Sequence, residues 1–172
     1  MKHLAVALFC FFAVPSLSQA QTGPQPAHSA LLDHFQGHWV LRYTFHGKME
    51  VHDVTGSSAL EHHYMLLHEV SREKNADGTP QYEAFVYITR EAARHLDEVA
   101  WLDVFGGDLP PSLGFGQETA NRVRFLFDDP SGSVDFVNDM HYDHATDSWT
   151  WIMDNVDHGK HIPFARMRLT RS

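Results

Sequence analysis

The chain has 172 residues, 43% of them hydrophobic and 12% aromatic, with 13 basic residues against 22 acidic ones and a single cysteine. A chain of that length is one domain that buries roughly 70% of the surface its unfolded form exposes, with no need of disulfides or structural zinc, and its aromatic content excludes a disordered polymer. The formal charge of −9 excludes a nucleic-acid backbone or an anionic membrane surface as the main partner, because both require a cationic face.

Residues 1–20 have the layout of a secretory signal. Lys2 supplies the basic start, an apolar run extends from Leu4 to Val14, and Ser18 and Ala20 are the small residues for cleavage after Ala20. The run is too short to span a bilayer, so no membrane anchor is expected after cleavage, and the expected location is the periplasm or the outside of the cell. The only cysteine, Cys10, leaves with the signal, which suits an oxidising compartment and removes thiol nucleophiles and thiolate metal sites together. Lys2 and His3 leave as well, and no acid does. The remaining chain has thirteen histidines and a charge of −10. Histidines that titrate near pH ~6.5 would carry that charge toward +3 in acid.

Gln21 to Pro26 is polar and proline-bearing, so residues 21–28 read as a flexible lead-in to one domain over 29–172. Ser29 is placed to cap a short helix through Phe35, which Gly37 ends. From His38 the period becomes two: Trp39, Leu41, Tyr43 and Phe45 alternate with Val40, Arg42, Thr44 and His46, as in a strand with one buried face. After a turn at Gly47-Lys48, strands are predicted over Met49 to Thr55 and Leu60 to Ser71. The Asn75-Ala76-Asp77-Gly78 turn leads to another over Gln81 to Thr89. Arg90 to Leu96 is the only other plausible helix. Strands follow at Glu98 to Phe105, Ser112 to Glu118, Arg122 to Phe127, Val134 to Tyr142, Trp149 to Asn155 and His161 to Thr170. Nine or ten short strands with tight turns and no crossover helix specify an all-β, antiparallel, up-and-down meander, and closure into a β-barrel removes its edges.

Three features together, the short helix, Gly37-His38-Trp39 opening the first strand and the meander that follows, resemble the calycin superfamily of lipocalins and fatty-acid-binding proteins. The closer likeness is to a bacterial lipocalin-like family of unknown function, over roughly Leu31 to Arg171. It is carried further by Phe105-Gly106 after a Trp-x-Asp strand and by the ending Met167-Arg168-Leu169-Thr170-Arg171. The resemblance implies a lipocalin-like barrel in which Gly37 lets the chain enter and Trp39 plugs the closed end. It also implies a basic residue of the last strand lying over that ring by cation–π contact. Arg166, Arg168 and Arg171 are available for this, and Arg168 is chosen. Where the family often carries a glycine-rich turn after the fourth strand, this chain has Arg90 to Leu96 instead.

Alternation from Trp39 places Leu41, Tyr43 and Phe45 inside. It also puts Leu60, His62, Tyr64, Leu66, His68 and Val70 inside, with Phe85, Tyr87, Trp101, Asp103 and Phe105. Val123, Phe125, Phe127, Phe136, Asn138, Met140, Trp149, Trp151 and Met153 complete the set. An interior of aromatics with a few polar groups is a small-molecule cavity, in which Tyr64, His62, His68, Asp103 or Asn138 orients a small, mainly apolar ligand. The expected ligand-binding residues are Tyr43, His62, Tyr64, His68, Phe85, Tyr87, Trp101, Asp103, Phe125, Asn138 and Trp151. A barrel filled by its own aromatics, acting as a structural or interaction module, is an alternative.

No cofactor is expected, haem or a metal held by an inward histidine being the other alternative. The strands contain no His-x-His, and His62 and His68 lie roughly 20 Å apart along one strand. No Gly-x-Ser-x-Gly, His-Glu-x-x-His or phosphate-binding glycine loop is present. Asp103 beside an inward histidine, with Tyr64 or Tyr87 as donor, is the one acid/base dyad available, and a hydrogen-bonded buried aspartate is the commoner reading of it. Glu61 and Glu69 share the opposite face of their strand and are expected in solvent.

Overall fold

The computed structural model describes residues 29–91, 96–106, 112–128 and 132–172. The expected export signal at 1–20, the expected lead-in at 21–28, most of the expected second helix and parts of two turns lie outside the described residues. Helix α1 (Ala30–Asp33) precedes β1 (Gly37–Phe45), β2 (Lys48–Ala59), β3 (Tyr64–Ser71), β4 (Glu83–Glu91) and β5 (Leu96–Asp103). β6 (Ser112–Glu118), β7 (Arg122–Asp128), β8 (Val134–Asp143), β9 (Ser148–Asp157) and β10 (Lys160–Arg171) follow. Each strand pairs antiparallel with its neighbours in sequence. β1 also pairs with β10, Trp39 opposite Arg171 and Tyr43 opposite Met167, which closes a ten-stranded up-and-down barrel with no free edge.

Local chemistry sets the turns. His46-Gly47 and His158-Gly159 take positive φ at both positions, the two-residue hairpin geometry whose twist matches that of the flanking strands. Ser29 caps α1 by accepting from the Leu32 N–H at 3.3 Å. Arg90 and Glu91 end β4 and Leu96 opens β5, so these ends of the expected second helix are strand.

One end of the barrel is sealed. Trp39 is buried and its Nε1–H donates to the Phe35 carbonyl at 2.8 Å, while Phe35 stacks on Trp149 with ring centroids 3.8 Å apart. Gly56 permits this seal. A Cβ there would stand 1.9 Å from the Phe35 carbonyl oxygen, so only glycine lets the segment after α1 cross so closely. The cation over Trp39 is Arg171, whose guanidinium carbon lies 3.7 Å from the ring centroid. Arg168 points outward, toward the Ser148 and Thr146 hydroxyls, which corrects the expectation for it. The reason is parity. Arg171 continues the inward series Ala165, Met167 and Leu169 and stands opposite Trp39, whereas Arg168 alternates with that series.

The middle of the barrel is filled. Leu41, Met65, Leu67, Val86, Ile88, Val99, Phe125, Met140, Trp151 and Leu169 form one core with Trp39. The expected faces hold for β1, for Trp101 and Asp103 on β5, and for β7, β8 and β9. On β3 and β4 they are reversed. Met65, Leu67, Glu69 and Ser71 are buried, and Tyr64, Leu66, His68 and Val70 are on the outer face. Ala84, Val86 and Ile88 are buried, leaving Phe85 and Tyr87 outside. Leu60 and His62 belong to neither face of a strand. They lie in the turn before β3, both at positive φ.

Candidate functional site

Opposite the sealed end the barrel opens into a cavity of about 800 Å³. Its walls come from the ends of β1, β5, β7 and β9 and the starts of β6, β8 and β10. Tyr43, Phe45, Tyr82, Trp101, Phe105, Phe127, Phe136 and Phe164 supply aromatic surface, with Met153 and Met167 between them. The rings form a collar of edge-to-face pairs. Centroids are 6.4 Å apart for Tyr43 and Phe45, 5.8 Å for Phe45 and Phe164, 5.6 Å for Phe164 and Phe136, and 5.8 Å for Phe136 and Phe127. Such rings brace one another, so the apolar wall is preformed.

Polar groups enter this wall from two strand pairs. Glu69 lines the cavity although the residue is only 3% exposed, and its Oε1 lies 2.5 Å from Nδ1 of His52, a β2 residue that is 2% exposed. On the other side of the ring, the Tyr43 hydroxyl lies 3.5 Å from His52 Nε2. Tyr82 stacks against the His52 ring at 5.5 Å and accepts from the Trp101 Nε1–H at 3.1 Å. The Tyr82 hydroxyl is 3.5 Å from Asp103 Oδ2, while Asp103 Oδ1 accepts the backbone N–H groups of Phe105 and Gly106.

Burial, then the charges of Glu69 and Glu50, push the Tyr43 phenol up to about 12. Burial, then Glu69, pushes Tyr82 up as well. Both phenols are therefore neutral donors at physiological pH, suited to orienting a ligand and not to attacking one. One interior step below Phe136, Asn138 is fully buried and neither of its amide atoms has a hydrogen-bond partner in the protein. The same holds for Trp151 Nε1. Uncompensated buried polar groups cost on the order of 1–3 kcal/mol each, so these groups weigh against the stability of the filled middle of the barrel.

The expected site residues divide into three groups. Tyr43, Trp101 and Asp103 line the cavity. Phe125, Asn138 and Trp151 are interior but deeper, part of the filled middle. His62, Tyr64, His68, Phe85 and Tyr87 are not inside at all. His68 bonds Glu83 at 2.7 Å and stacks on Phe85 at 4.4 Å, and Tyr64 meets Tyr87 edge to face, all on the outer surface.

The haem or metal alternative thereby loses His62 and His68, and the fully buried histidine among the described residues is His52. No three His, Cys, Asp or Glu side chains among the described residues are placed to hold a metal ion. Nor does the Asp103 dyad form. Asp103 meets Tyr82, and the histidine meets Glu69. Glu69, His52 and Tyr82 are the functional candidates that alternation along each strand missed. Transfer of facing across the hairpins finds Glu69, because Trp39 pairs with Val54, Val54 with Glu69, Glu69 with Ala84 and Ala84 with Asp103. Directly opposed residues share a face, so all five point inward once Trp39 does.

No family model matches the chain, and no curated protein matches it.

Proposed function

We propose that this chain is an exported, lipocalin-like β-barrel that binds a small, mainly apolar molecule in the cavity opposite the Trp39 seal. The cavity carries the reading. A volume of about 800 Å³ suits a drug-sized ligand, the aromatic walls supply affinity, and the few fixed donors and acceptors supply orientation. The Trp39 seal and the filled middle support it further, since they confine a ligand to one mouth. Export rests on the signal-like start of the sequence, and an intact mass beginning at Gln21 is the result expected from expression with that segment.

The test of binding is a titration with the neutral fluorophore N-phenylnaphthylamine. Saturable one-site binding is expected, weakened on the order of tenfold by Trp101→Ala, which removes wall surface, and by less than about twofold by His68→Ala on the outside. An absence of saturable binding, or equal losses in the two variants, would overturn the proposal.

A further inference from the structure

We propose that the molecule held in this cavity is an organic cation, an amine or quaternary ammonium with an apolar body. This rests on the ligand-binding reading of the same cavity and adds the sign of the ligand's charge. Among the described residues, four carboxylates line the cavity, from Glu69, Asp103, Asp128 and Asp135, and no lysine or arginine does. Two of these are set into the wall and two stand exposed at the mouth. Glu69 is hydrogen-bonded to His52, and setting it aside still leaves three carboxylates. The other titratable side chains of the lining, Tyr43 and Tyr82, are held neutral by burial and add no positive charge. A concave site with low-dielectric walls and one sign of charge concentrates the opposite ion, and the net charge of the chain has the same sign as the site.

The aromatic collar provides a second, independent attraction. Phe45, Phe136 and Phe164 meet edge to face, which leaves ring faces of more than one orientation around the mouth, and ring faces attract cations. A fatty carboxylate of the same length would meet like charge and no cation to pair with. A neutral ligand would fill the volume and leave the field unused.

Isothermal titration of the full chain with decyltrimethylammonium, decanol and decanoate separates these cases. The ammonium compound is expected to bind at least about tenfold more tightly than the alcohol, and the carboxylate more weakly than the alcohol. Added salt should weaken the ammonium compound alone. The double substitution Asp128→Asn with Asp135→Asn, at exposed positions that the core does not need, should reduce cation affinity about three- to tenfold more than alcohol affinity. If the alcohol or the carboxylate binds as tightly as the cation, the charge assignment is overturned while ligand binding stands. If none of the three saturates, both readings fall.

Discussion

Replacing Asp97 by asparagine should change how the stability of the barrel responds to pH. Asp97 is on the inward face of β5 with none of its surface exposed. Arg90 Nη2 donates to Glu118 at 3.0 Å, and Arg90 Nε lies 3.3 Å from Asp97 Oδ1. The Ser29 hydroxyl donates to the second oxygen of Glu118. Two carboxylates thus share one guanidinium, and Glu118 holds the directed bonds while neither oxygen of Asp97 has one. Burial, then the Glu118 charge, pushes the Asp97 carboxyl from 3.8 up to about 6, with Arg90 acting against them.

The folded state therefore keeps this proton longer than the unfolded chain does. The contribution of Asp97 to stability is fully present below pH 3.8 and is lost as pH rises through about 6. At about 1.4 kcal/mol per unit, the interval corresponds to about 3 kcal/mol, an upper figure because Arg90 is partly open to water. Urea unfolding followed by tryptophan fluorescence, at pH values from about 4 to 8, gives the measurement for the parent and for Asp97→Asn. Asparagine has the same shape and no proton to lose. Relative to the variant, the parent should lose up to about 3 kcal/mol between about pH 4 and 7 and change little above that. Asp53 and Asp147, held below the ordinary carboxylate range by hydrogen bonds from Arg72 and Arg171, act in the opposite direction and at lower pH. They are common to both proteins and cancel in the difference. A difference that stays constant to about 0.5 kcal/mol across the range would refute the assignment of the proton to Asp97.

Three further outcomes follow from the packing. Gly56→Ala drives a methyl group into the Phe35 carbonyl and frees the Trp39 Nε1–H, so it should cost about 2–4 kcal/mol in urea unfolding. A parent-like midpoint would remove Phe35 from that crossing. Arg171→Met should destabilise by about 1 kcal/mol or more, because it uncovers Trp39 and abandons the Gln36 carbonyl. Arg168→Met on the outer face should cost under about 0.5 kcal/mol, and the reverse order would contradict the parity of β10. Glu69→Ala leaves His52 without its buried partner and should cost about 3–5 kcal/mol. The combined His52→Leu and Glu69→Met should recover most of that loss, and a double variant as unstable as the single one would deny that the pair is a desolvated unit.

The sequence by itself determined the all-β class, a meander of nine or ten strands and the helix cap at Ser29. These rest on local rules: tight turns, unbroken alternation and a capping side chain act over a few residues. It also oriented β1, β7, β8 and β9, where the aromatic residues Trp39, Tyr43, Phe45, Phe125, Phe127, Phe136, Trp149 and Trp151 fall on one parity. Along β3 the run Met65-Leu66-Leu67 is apolar on both parities, and Glu69 then points the choice the wrong way, because a lone carboxylate favours water. The β2–β3 register sets His52 diagonally beside that carboxylate, and the hydrogen bond between them makes its burial tolerable and reverses the strand. The Asp97 cluster and the choice of Arg171 over Arg168 have the same origin, since each depends on which side chain the register sets opposite another. The position of the cavity likewise came from the tertiary structure, because a hollow is set by how the side chains of all ten strands fill a shared volume and no single strand carries that information.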